Sequence, residues 1–114
     1  MTLQEFYDQV GGSYEDTLRR LPSEAFIRKF LLKFLDDPSF SQLSDAVEHA
    51  DWPTAFRAAH TLKGVAQNLG LGRLHLAAAA LTDALRSGAP LTDPALFLAV
   101  QEAREAAVAA ITSL

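Results

Sequence analysis

Along the chain, apolar residues recur at spacings of three and four, and the alternation that marks strands is nearly absent. The pattern predicts an all-α protein. Leu3, Phe6, Tyr7 and Val10 share one side of a short helix over roughly 2–10, which stops at Gly11-Gly12. Ser13 then caps a second short helix to about Leu21, with Asp16 in the capping-box position. From the cap at Ser23, Phe26, Ile27, Phe30, Leu31 and Phe34 form a wide apolar face, with Lys29, Lys33 and Asp36 opposite. That helix stops before Pro38, and "PSFSQLSDAVEHA" restarts it. Asp51 caps the next helix, which tolerates Pro53 in its first turn, runs from about Trp52 to Leu69 and ends at Gly70. A helix from about Arg73 to Arg86 follows, ended by Gly88, and Thr92 or Asp93 with Pro94 opens the last one.

The connections are short, so successive long helices lie antiparallel. The expected architecture is an up-and-down antiparallel four-helix bundle, its core at about 23–113, with short additional N-terminal helices laid across it. Alanine-rich stretches at 77–80 and 106–110 let neighbouring backbones approach closely.

Totals narrow the chemistry. The 114 residues suit one domain over 1–114, and an initial Met with a complete single domain suggests a free-standing chain. The net charge of −4 gives no support to nucleic-acid binding. The absence of cysteine excludes disulfides, thiolate metal sites and cysteine nucleophiles. The N-terminus has no signal-peptide pattern and no uncharged apolar run approaches the ~20 residues that span a bilayer, so a cytoplasmic protein with no membrane contact is expected. A monomer is the expected state.

The candidate chemistry lies in "AAHTLKGVAQNLG", residues 58–70. At ~100° per residue, Ala55, Ala59, Leu62, Ala66 and Leu69 form the core stripe. His60, Lys63, Gly64 and Gln67 line its edge with Phe56, since spacings of three and four make neighbours. Arg57 lies one turn before His60, so two cations flank the imidazole. An accessible neutral imidazole can attack phosphorus. The product carries about two negative charges, which a lysine one turn away stabilises as a mobile point charge. Glycine at 64 costs up to ~1 kcal/mol against alanine, and removing side-chain bulk beside the histidine for a partner's approach would offset that cost.

Other chemistries find less support. A bundle metal site wants Glu-x-x-His pairs, and no histidine here has Glu three residues before it. Asp45 and His49 suit a capping or solvated pair, and His75 a boundary position. The "GLG" at 70–72 follows a helix and lacks a third glycine, so it is no dinucleotide fingerprint, and no Walker lysine motif appears.

The stretch closely resembles the signature of the histidine-containing phosphotransfer (HPt) domain. Ala59, His60, Leu62, Lys63, Gly64 and Gly70 fall on the family's positions, with Asn68 and Leu69 of common family type. The likeness extends over roughly 14–112, through "FLLKFLDDPSFSQLSDAVEHADWPTAFRAAHTLKG" and "LGRLHLAAAALTDALRSG". It implies a helical bundle that is not an enzyme but a phosphocarrier without kinase activity of its own. His60 would be the phosphoacceptor, Lys63 its electrostatic partner and Gly64 the clearance residue. The implied partners are response-regulator receiver domains, with a histidine kinase as donor in some relays. Mg²⁺ would belong to the receiver, leaving this chain without cofactor or metal. Receivers dock on an apolar patch near the histidine, for which Leu3, Phe6, Tyr7 and Val10 are candidates, although Phe6 or Val10 could equally be core. Phe56, Arg57 and Gln67 would flank the contact, and Arg57, Lys63 and Arg73 would complement the receiver's acidic pocket. The alternative is an HPt-like bundle that binds a receiver or another protein without transferring phosphate.

Overall fold

The computed structural model describes residues 1–114, all helix, turn and loop. Its helices are α1 (Leu3–Gln9), α2 (Tyr14–Arg20), α3 (Glu24–Phe34), α4 (Ser39–Glu48), α5 (Trp52–Leu69), α6 (Gly72–Ala84) and α7 (Pro94–Thr112), with a 3₁₀ turn at Arg86–Gly88 between α6 and α7. No helix is long and apolar enough to cross a membrane.

Caps set most boundaries. The side chains of Ser13, Ser23, Asp51 and Asp93 each accept a backbone N–H of the first turn that follows. The expected capping box at Ser13 is one-sided. Asp16 donates its N–H to Ser13, but its carboxylate pairs with Arg19 at 2.8 Å instead of reaching back. A complete box forms at Thr2, whose N–H donates to Glu5 Oε1 at 2.9 Å while Glu5 N–H donates to the Thr2 hydroxyl. α6 ends at Ala84, short of the expected Arg86, because Ser87 takes a left-handed φ of 62° and tightens the chain into the 3₁₀ turn.

The bundle is built by α4–α7. α5 lies along α4 on one side and α6 on the other, and α6 along α7. α7 closes on α4 through stacked Phe40 and Phe97, with the Arg104 guanidinium 5.0 Å from the Phe40 ring. Leu62, Leu81 and Val100 are fully buried in this core. Ala59, Ala66 and Ala78 are too, and their small side chains permit close helix packing. α3 adds Ile27, Leu31 and Phe34 and meets α5 over a shorter interface.

α1 and α2 dock on the α5–α6 turn. Gly70 ends α5 with φ 74°, in the left-handed region that favours glycine. A Cβ at Gly12 would collide with the Gly70 carbonyl, so the turn after α1 approaches the turn after α5 backbone to backbone. Arg73 N–H donates to the Val10 carbonyl at 3.0 Å, and the Tyr7 hydroxyl donates to the Leu69 carbonyl at 2.8 Å. α1 thus supplies a partner for one of the free carbonyls at the α5 C-terminus. Burial pushes the Tyr7 phenol up to about 12.

Candidate functional site

α5 owes its place to its own pattern. Ala55, Ala59, Leu62, Ala66 and Leu69 are all buried, and the 100° step puts His60 well round from the middle of that stripe, beyond the edge position expected of it and fully on the solvent side. His60 is exposed, as are Gly64 and Gln67 on the same face. Arg57 and Lys63, three residues to either side of His60, flank it at about 60° round the helix on each side. Arg57 is exposed and donates to the Thr54 hydroxyl at 3.1 Å. Lys63 is half-buried, and neither cation belongs to any of the chain's ion pairs. Their charge stays available to an anion on the imidazole.

Gly64 has no role in packing. A Cβ built there meets nothing within 4 Å, in contrast to Gly12 and Gly70. The fold therefore offers no steric reason for a glycine in mid-helix at this point.

Phe56, half-buried one turn before His60, sets its ring 6.2 Å from the imidazole. α6 and the 3₁₀ turn that follows it each contribute a contact that the sequence pattern did not assign. Nδ1 of His75 lies 3.2 Å from the Lys63 carbonyl; a carbonyl only accepts, so Nδ1 carries the proton and donates. The boundary position expected for His75 is thus a link between α6 and the backbone of Lys63. The Arg86 guanidinium lies 5.8 Å from the Phe56 ring. Antiparallel register was the available signal for Arg86, since Phe56 and Arg86 are nearly equidistant from the Gly70-Leu71 turn; Lys63 and His75 are not, and their contact carried no such signal.

The N-terminal docking patch is corrected. Leu3 is 2%, Phe6 0%, Tyr7 0% and Val10 5% exposed, so all four side chains are core. Short amphipathic α1 spends its apolar face on the α5–α6 turn and leaves none for a partner. Of the expected contact residues, Phe56, Arg57 and Gln67 remain around His60.

His60 lines none of the larger concavities, of which the one between α3 and α5 is a groove of about 160 Å³ lined by Phe30, Lys33, Val65 and Asn68 among others. An exposed nucleophile outside the larger concavities suits a partner protein that brings the concave half of the site, not a small molecule enclosed by this chain. No three His, Asp or Glu side chains converge as metal ligands. His49 caps α4, its Nδ1 2.7 Å from the Asp45 carbonyl, which raises its pKa together with nearby Glu48.

No curated protein and no solved structure matches the chain. The family model of the Hpt domain matches residues 31–110, a span that contains α4, α5, α6 and most of α7 and includes His60, Lys63 and Gly64. The chain belongs to the Hpt domain family, whose members carry phosphoryl groups on histidine in phosphorelays.

Proposed function

We propose that this protein is a phosphocarrier in which His60 takes a phosphoryl group from a receiver-domain aspartyl phosphate, or from a histidine kinase, and passes it to another receiver aspartate. One observation carries the proposal: an exposed imidazole on the solvent side of α5, with two unpaired cations beside it and a glycine that the fold does not require. In the accepting step a lone pair of an imidazole nitrogen forms the N–P bond. The P–O bond to the donor carboxyl breaks, and its electron pair leaves with the carboxylate. Lys63 neutralises the added charge as a mobile ammonium, and open space over Gly64 admits the receiver's active site. Mg²⁺ is assigned to the receiver, and no kinase activity to this chain.

The test is phosphoryl transfer from a labelled phospho-receiver to the wild type and to His60→Gln. The expected product is acid-labile, base-stable phosphate that maps to His60 and is lost in the variant, whose helix content and melting stay unchanged because His60 is exposed. Transfer by His60→Gln at the wild-type rate would reject the assignment. Receiver binding without labelling of the wild type would make the protein a non-catalytic binder.

A further inference from the structure

Arg86 belongs to a different element from His60, yet both lie beside the ring of Phe56. Its guanidinium lies over the Phe56 ring at 5.8 Å, and that ring lies 6.2 Å from the imidazole. The placement depends on the backbone. Ser87 and Gly88 both take positive φ, 62° and 73°, and the turn they make packs against α5. A left-handed serine is unfavourable, so this turn persists because its surroundings impose it. Asp83, one turn before, holds Arg86 by a single contact of 2.7 Å. Both partners are largely exposed, 59% for Arg86 and 73% for Asp83, and such a pair contributes little.

We propose that Arg86 is a second phosphoryl-binding residue, released by Asp83 when His60 becomes phosphorylated. This rests on His60 being the phosphorylated residue. The phosphoryl group brings about two negative charges and three acceptor oxygens, against the single charge of Asp83. The guanidinium fork donates two parallel hydrogen bonds to such a group, which the ammonium of Lys63 cannot do. Phe56 serves as a platform: its ring holds the guanidinium at 5.8 Å in the unphosphorylated protein and lies 6.2 Å from the imidazole. No bond is made or broken at Arg86; it exchanges one anion for another.

The experiment phosphorylates the full chain with phosphoramidate, a small donor that needs no partner, and follows phosphohistidine by ³¹P NMR as a function of pH. A neighbouring guanidinium favours the dianion, so Arg86→Ala should raise the proton affinity of the phosphoryl group about three- to tenfold. Arg86→Lys should restore part of the difference, and Asp83→Asn should not raise the affinity above wild type. In the wild type the Arg86 Nε–Hε resonance should move on phosphorylation. Label on His60 with an unmoved Arg86 resonance, and the same ³¹P titration in Arg86→Ala, would overturn this role and leave the carrier function standing. Folded protein with no label on His60 would overturn both.

Discussion

Replacing Gly64 by alanine adds one methyl group to the middle of α5, at a point where the surrounding structure leaves room for it. Beyond the local helix backbone the new Cβ meets nothing within 4 Å, and the position is exposed, so neither overpacking nor altered burial enters the comparison. What remains is helix propensity, which favours alanine by about 1 kcal/mol because glycine loses more backbone entropy on folding. At an unfolding entropy of about 2.1 cal/mol/K per residue, a chain of this size has about 0.24 kcal/mol/K in total. Gly64→Ala should therefore raise Tm by about 4 °C, with an unchanged denaturant m-value. Thermal melting and urea titration of the two proteins read this directly. A Tm equal to or below that of the wild type would refute the premise that the fold does not need this glycine. The same variants address clearance. Gly64→Gln, with more bulk than alanine, should slow transfer from a phospho-receiver while leaving labelling by phosphoramidate unchanged. Unaltered receiver transfer would remove clearance as the reason for glycine.

Three further substitutions probe other parts of the structure. Tyr7→Phe leaves the Leu69 carbonyl without its buried donor and should cost about 1–3 kcal/mol in urea unfolding, whereas a neutral result would show that water or a neighbour replaces the phenol. The Tyr7 phenol is raised by burial to about 12 from 10.0, so its stabilisation is complete below pH 10 and is lost as pH rises through 12. That loss, on the order of 2–3 kcal/mol, should be visible as a steeper alkaline decline in the wild type than in Tyr7→Phe. Ala50, at φ 53°, holds the turn before α5 in a region unfavourable to alanine; Ala50→Gly should add about 1 kcal/mol of stability, read as a higher urea midpoint, and a lower midpoint would count against strain there. Lys63→Ala should slow phosphoryl transfer or shorten the lifetime of phosphohistidine, and kinetics identical to wild type would show the ammonium to be dispensable.

Local physical chemistry was legible wherever one segment settles the matter. Ser23 and Asp51 announce helix starts, and the Thr92-Asp93 pair the last one to within a residue, because a side-chain oxygen two or three residues before a free N–H acts within its own turn. Gly70 announces the end of α5 for the equally local reason of its left-handed φ. The exposure of His60 followed from its angle relative to Ala55, Leu62 and Leu69, which helix geometry alone sets. The relation of His60 to Lys63 and Gly64 is likewise internal to one helix.

What the sequence could not decide is which surface an apolar face covers and which distant residue arrives beside the site. Leu3, Phe6, Tyr7 and Val10 show the same periodicity whether they meet a partner or their own core; the backbone contact of Gly12 with Gly70 and the Tyr7–Leu69 hydrogen bond resolve it for the core. Arg86 reaches Phe56, and His75 the Lys63 carbonyl, only after α5 and α6 have paired in one register. By itself the sequence determined the helices, their caps and the face that bears His60, because those depend on interactions within a turn or two. Tertiary structure alone decided the burial of α1 and the arrival of Arg86 at the Phe56 ring and of His75 at the Lys63 carbonyl. Those contacts depend on how residues far apart in the chain share one closely packed volume.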